Sequence, residues 1–427
     1  MAECTDAPAT SVPQFAADHK AKVARRALLA SAGPVTQLLI GDAIGDAFGF
    51  GVEMQDAHWM RQCVTRCTSW PENPVKREEH KFNSVRGMYS DDCEMTVGLM
   101  KALVKDGMAA SEDAMLTAWR EEWELAKCRP SPAVPGAERS GHGSVKYFFN
   151  GKTSLNELRE SQASRVDPGN APPMRALPLA FVDPGCCQEL CRANADTTHP
   201  HPKARAASYL IAQAARWLIV EKGRKQKVLE VALERLQASD LNHLETVSLL
   251  QKIQELPDYH SFGQRLQGMP EAVHALLCGP QPHPDLENVP GGQDGTSAVH
   301  GLGSDAMRTA GVVLYILRFH RGPRDALLTS LYIGGDVDSI AALCLGIVGG
   351  SEGLQLGQRC GLPWFLVEEL EGVEYLVSQA SRFEAWLSER GLGTLGISKA
   401  SRRTKAPSTR LKRPAAAVHK RPSKRPR

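Results

Sequence analysis

The chain has 427 residues, 42% of them apolar and 23% charged, the proportions of a globular protein large enough to bury a sizeable core. No apolar run reaches the length of a membrane-spanning helix, and Glu3, Asp6 and Asp18 break any secretory pattern at the N-terminus. The net charge of +3 hides a division: twelve of the 51 Lys and Arg follow Ile397 with no acid among them, leaving 39 basic against 48 acidic residues, an acidic body of charge −9 that speaks against nucleic acid as a ligand of the folded part.

In chain order, residues 1–33 read as a poorly structured leader. From Val35 the pattern is helical and largely stays so. Gly41, Gly45 and Gly49 recur every fourth position, which suits close helix–helix approach. Asp42, Asp46 and Glu53 are left over in that segment, and Glu53 stands where it can reach a site above the helix end. Ser90-Asp91-Asp92 precedes an apolar helical run, Met95–Val104. Further helices are expected over Ser111–Cys128, Pro202–Glu221, Lys227–Gln237, Asn242–Leu256, Ser304–His320 and Trp364–Ser388, several with acidic starts. Alternating strand patterns are scarce, so the fold class is all-α. Gly and Pro clusters mark loops at Arg129–Gly143, Asp167–Pro173 and Cys278–Gly303. The eleven cysteines are scattered; neither Cys63 with Cys67 nor Cys186, Cys187 and Cys191 has a second half at zinc spacing, so free thiols are expected.

Gly334-Gly335-Asp336-Val337-Asp338-Ser339 repeats the layout of the earlier acidic stretch: carboxylates and a hydroxyl ahead of a buried helix, Ile340–Val348. Either stretch alone reads as an N-cap. Together they offer four carboxylates and two hydroxyls, an all-oxygen set suited to Mg, Mn or Ca and rich enough for two ions. Asn150-Gly151-Lys152-Thr153 looks like the end of a phosphate loop, but Lys146 stands where the first glycine is required. Trp119 and Trp123 are expected in the core, and His201 on the surface.

Five blocks in order resemble the ADP-ribosylglycohydrolase family. They are Ala43–Gly49 with Glu53, Ser90–Cys93, Gly169-Asn170-Ala171 with Met174-Arg175 and Pro178, Thr198-His199, and Gly334–Ser339. The resemblance spans about Val35 to Glu371. It implies a single large all-α catalytic domain, here 34–397, with a dinuclear metal site. It further implies two Mg ions, with Mn as a substitute, on Ser90, Asp91, Asp92, Asp336, Asp338 and Ser339. Glu53 and Asp91 become the catalytic candidates, and Gly169, Asn170, Ala171 and His199 the residues that hold ADP-ribose. The implied activity is Mg-dependent hydrolysis of an N- or O-glycosidic bond to ADP-ribose on a protein side chain or related conjugate, through an oxocarbenium-like transition state. A non-catalytic ADP-ribose-binding or crystallin-like protein on the same fold is the alternative. Serine replaces the family's threonine at positions 90 and 339, Cys93 replaces another threonine, and Ala171-Pro172-Pro173 replaces a glycine-containing loop.

Residues 398–427 lack apolar periodicity and read as a disordered basic tail. Lys412-Arg413 and Lys420–Arg427 form two basic clusters around a spacer of mostly small residues, similar to a bipartite nuclear-import signal. The expectation is an import receptor as partner and a nuclear or nucleocytoplasmic location.

Overall fold

Two glycine-bearing helices, one from each end of the chain, form the centre of the fold. A computed structural model describes residues 12–71, 86–128, 145–281, 283, 286 and 299–392, all within one unit that ends at Thr394. The helices that matter here are α1 (Val12–Ala30), α2 (Pro34–Phe50), α3 (Asp91–Asp106), α4 (Glu112–Cys128), α5 (Pro184–Asp196), α6 (Pro202–Ala215), α7 (Ala306–Phe319), α8 (Pro323–Leu331), α9 (Val337–Glu352) and α10 (Val373–Glu389). Among the described residues the only extended pairing is a pair of isolated bridges, Gln55 with Gly335 and Leu302 with Gly335.

Proline at the first turn starts α2, where its missing N–H costs nothing. From Val35 to Phe50 every residue but Gln37 is buried, the mark of a helix surrounded by protein. It runs antiparallel to α9 with almost nothing between the backbones. A Cβ at Gly41 would lie 2.3 Å from the Leu345 carbonyl oxygen, one at Gly45 2.2 Å from that of Ala341, and one at Gly49 2.3 Å from the Asp338 Cα. The glycine spacing is thus a packing device, as expected. It also presses the C-terminal end of α2 against the first turn of α9.

Around this pair, α3 packs on α4 through Gly98 against the indole of Trp119. Trp119 and Trp123 are both buried. The helices expected over 111–128, 227–237, 242–256 and 304–320 appear within two residues of those limits. That over Pro202–Glu221 is α-helical to Ala215 and continues as a π turn, Arg216–Val220. Trp364–Ser388 is not one helix. It splits into Phe365–Glu368 and α10, because Gly372 takes a left-handed φ of +63° between them.

The leader reading also fails from Val12 onward, where α1 stands. Its anchors are invisible to local pattern. Arg25 Nε donates to Glu374 Oε1 at 2.8 Å, Arg26 Nε to Glu368 Oε1 at 2.6 Å, and Leu29 joins the core. The phosphate-loop lookalike is a turn, with Gly151 at φ +69°, running into a Ser154–Glu157 capping box. His201 accepts from the Lys203 N–H at the start of α6. Loop 129–143, most of 282–298 and the tail 398–427 lie outside the described residues.

Candidate metal centre

The site is built where α2, α3 and α9 meet. After α2 the chain turns through Met54, a non-glycine residue held at φ +62°, a conformation kept only where the surroundings enforce it. The enforcing contacts come from the other end of the chain: Met54 N–H donates to Gly335 O and Gly335 N–H to Gln55 O, both at 2.8 Å. On its other side this lead-in pairs with the 299–303 segment, Asp336 N–H donating to Leu302 O at 2.8 Å. Gly334 and Gly335 sit at φ +77° and +78°, and a Cβ at Gly335 would lie 2.0 Å from Leu302 O. Glycine is required there by both conformation and space. The consequence is that Glu53 and Asp336, 283 positions apart in sequence, face one site.

Carboxylate oxygens of Glu53, Asp336 and Asp338 lie within 4.8 Å of one another, and so do those of Asp46, Asp92 and Asp338. The two trios share Asp338. Ser90 and Ser339 complete the surroundings: Ser90 Oγ is 3.5 Å from Asp92 Oδ2, and Ser339 lies against both Asp92 and Asp336. The capping explanation of the two acidic stretches does not hold, since neither Ser90 nor Asp336 makes a side-chain cap bond. The cap of α3 comes instead from another helix. Asp46 accepts from the Ser90 N–H at 2.9 Å and from the Cys93 N–H at 3.0 Å.

Asp46 is the residue that sequence reasoning left unassigned. Its one local signal is its place on α2, two turns before Glu53 and on the glycine-packed segment. Asp91, expected from the sequence as a ligand, belongs to neither trio and is partly exposed. One turn before Asp46, the buried Asp42 has both oxygens without a hydrogen-bond partner. Burial first, and then the charge of Asp46, lift its carboxyl far above the usual range.

The electrostatics are those of crowded acids. Although part of its surface stays open to solvent, the protein packed around the Asp91 carboxyl desolvates it and, with the Asp46 charge, raises it to about 7. Burial raises Asp336 to about 6, against lowering contacts from Asp338 and Asn170. Asp92 and Asp338 are also raised well above the usual carboxylate range, chiefly by burial and then by Asp46 and Glu53 respectively. Buried carboxylates this close need protons or cations between them. An all-oxygen donor set with hydroxyls beside it fits a hard divalent cation rather than a thiolate-preferring one.

Of the four residues expected to hold ADP-ribose, Asn170 is the one that meets the carboxylates directly. Asn170 Nδ2 donates to Asp336 Oδ2 at 3.1 Å and lies 3.2 Å from Thr309 Oγ1, so this residue touches the carboxylate cluster itself. Ala171 begins a short helix, Ala171–Met174, whose prolines occupy first-turn positions that need no N–H. Gly169 is set by close approach: a Cβ there would lie 2.9 Å from His199 Nε2. His199 is buried, its basicity held well below the ordinary value by burial and then by Arg175. Its Nδ1 is 2.7 Å from Thr198 Oγ1, to which Arg175 donates at 2.8 Å. Arg175 also grips Asn194 and lies 3.7 Å over the Trp119 ring.

The sequence profile of the ADP-ribosylglycohydrolase family matches residues 32–392 of the chain. No curated protein sequence matches it significantly. Among solved structures, the fold is similar to one titled "ADP-ribosylglycohydrolase-related protein complex", with a TM-score of 0.54 and 17% identity over 83% of this chain and 98% of that one.

Proposed function

The chain belongs to the ADP-ribosylglycohydrolase family, and from that premise we propose a Mg-dependent hydrolase that releases ADP-ribose from a protein side chain or related conjugate, with Mn as a substitute cation. The observation that carries this reading is the pair of carboxylate trios sharing Asp338. Asp46, Asp92 and Asp338 would hold one cation; Glu53, Asp336 and Asp338 would hold the other or, in the case of Glu53, act beside it. The buried Ser90 and Ser339 and the partly exposed Asp91 would supply further oxygens. Cations held there would supply Lewis acidity for orienting ribose hydroxyls and acidifying a water.

This chain's own residues do the rest. Asn170 fixes the Asp336 carboxylate from the substrate side. Gly169 leaves room for His199, which stays neutral and presents Nε2 toward the 169–171 loop as a polar contact for ADP-ribose. Arg175 anchors that histidine through Thr198. Glu53, at the end of the strained Met54 turn, is the proton-transfer group for the departing conjugate or the incoming water.

The test is a panel of defined ADP-ribosyl conjugates, with arginine, serine and small-molecule leaving groups, assayed with Mg and with a chelator. Cleavage of at least one conjugate is expected with Mg only. Glu53→Gln should lower kcat by roughly 100-fold or more, the scale of a lost acid–base group, while ADP-ribose affinity stays within a few-fold. Turnover indifferent to the chelator would sink the metal reading, and an unchanged kcat in Glu53→Gln would return that residue to a structural role.

A further inference from the structure

A well-formed cleft lies away from the carboxylate site. It has a volume of about 640 Å³ and is walled by four separate segments, around Arg66, Arg265, Arg321 with Arg324, and Arg359. Those five arginines face a single carboxylate, Asp325, among the lining residues. Asp325 is already engaged, accepting from the Tyr259 hydroxyl at 2.7 Å and from the Arg321 N–H at 2.8 Å and lying 3.2 Å from His260 Nε2. Among the described residues, Arg66, Arg265, Arg321 and Arg359 form no ion pair. Arg324 donates only to a carbonyl, Gly361 O at 3.0 Å.

Arginines normally disperse or pair with acids, all the more in an acidic body. Gathering five unneutralised guanidiniums around one concavity raises their mutual repulsion and focuses a positive field into it. The backbone also bends to form this wall. Arg265 and Leu266 take consecutive left-handed conformations, at φ +55° and +56°, which a chain retains only where its surroundings hold it so. Guanidinium forks match phosphate oxygens bidentately, and the volume is that of a nucleotide-sized ligand. Arginines gathered around one concavity, rather than in a stripe along the surface, suit a short ligand more than a polymer.

We propose that this cleft is a second ligand site, separate from the carboxylate centre, for a small anion bearing two or more adjacent phosphate groups. Arg265, Arg321, Arg324 and Arg359, all lining the cleft, would supply the guanidinium contacts to the phosphate chain. The site does not depend on the hydrolase reading.

The test uses the full chain in chelator, so that cation-mediated binding at the carboxylates is suppressed. Inorganic tripolyphosphate is titrated calorimetrically into the natural protein and into R321E/R359E, whose altered side chains are exposed and leave the core untouched. The double variant should unfold at the same temperature and bind at least about tenfold more weakly, a loss of ~1.4 kcal/mol. Hydrogen exchange should slow on ligand addition in residues 259–266 and 357–361, which separates the cleft from the basic tail carried by both proteins. ATP binding more tightly than tripolyphosphate assigns a nucleotide to the site, and equal affinity assigns the phosphate chain alone. Equal binding by natural protein and variant, or no exchange protection in those segments, overturns the proposal. Protection there by a short single-stranded oligonucleotide but not by tripolyphosphate overturns it in favour of a nucleic-acid groove.

Discussion

Asp338 is the carboxylate on which both trios depend, and Asp46 serves only one of them while also capping α3. Their substitutions should therefore differ in kind. Asp338→Asn removes charge from both cation positions and should weaken Mn binding by roughly 100-fold or more, ~3 kcal/mol, with no tight site left. Asp46→Asn should spare the Glu53, Asp336 and Asp338 trio, so one equivalent of Mn still binds. It should also lose about 1 kcal/mol of stability through the weakened cap. Titration calorimetry with Mn reads both. Equal stoichiometry in the two variants would show that the trios are not separate positions.

At the scale of elements, the site is only as exact as the contact between α2 and α9. Gly45 and Gly49 differ in what lies beyond them: the Ala341 carbonyl for one, the Asp338 Cα for the other. Gly45→Ala forces the helices apart and should cost roughly 1–3 kcal/mol or more, as overpacking does. Gly49→Ala should cost a comparable amount and, in addition, displace Asp338, so that divalent-cation affinity falls with stability. Chemical denaturation paired with Mn titration separates these effects. Unaltered unfolding midpoints would mean that the glycines are not packing devices. The spacing of these glycines made close packing legible in the sequence. That the packing partner would be the acidic helix was not, because nothing local to either helix names the other.

For the whole molecule, the crowded acids make a pH signature. Asp91, Asp92, Asp336 and Asp338 all have folded-state pKa values raised above the unfolded carboxylate value. The folded state therefore binds protons more readily than the unfolded one. Stability is fully present below about pH 4, the unfolded value, and is lost as pH rises through the folded values of about 6 for Asp336 and about 7 for Asp91. In chelator, the melting temperature should fall between about pH 4 and pH 7, and added Mg or Mn should restore it most at the upper end. A flat profile in chelator would mean that these carboxyls are not buried together. The tail belongs to this scale too. We propose that the basic clusters after Ile397 direct nuclear import, since an acid-free chain can present its Lys and Arg to an acidic receptor groove without unfolding the body. Removing residues 398–427 should leave hydrolysis of a small ADP-ribosyl conjugate intact and shift a fluorescent fusion out of the nucleus; a truncated fusion that still concentrates there refutes the import role.

The sequence by itself determined what is local and ordered along the chain. Helical periodicity gave the all-α class. Two acidic stretches ahead of buried helices pointed to a cluster of oxygens of the kind that hard cations need. Five motifs in order supplied the family. Only the tertiary structure decided which oxygens meet. Asp46 enters through helix packing and Asp91 stands aside from the trios. The α1 helix is held by Glu368 and Glu374, more than 340 positions away, and the arginine cleft draws its walls from segments nearly 300 positions apart. The reason is physical. Propensity, capping and periodicity act over a turn or two of chain, whereas convergence of charge is set by which surfaces pack, and packing is a property of pairs that the linear sequence does not place side by side.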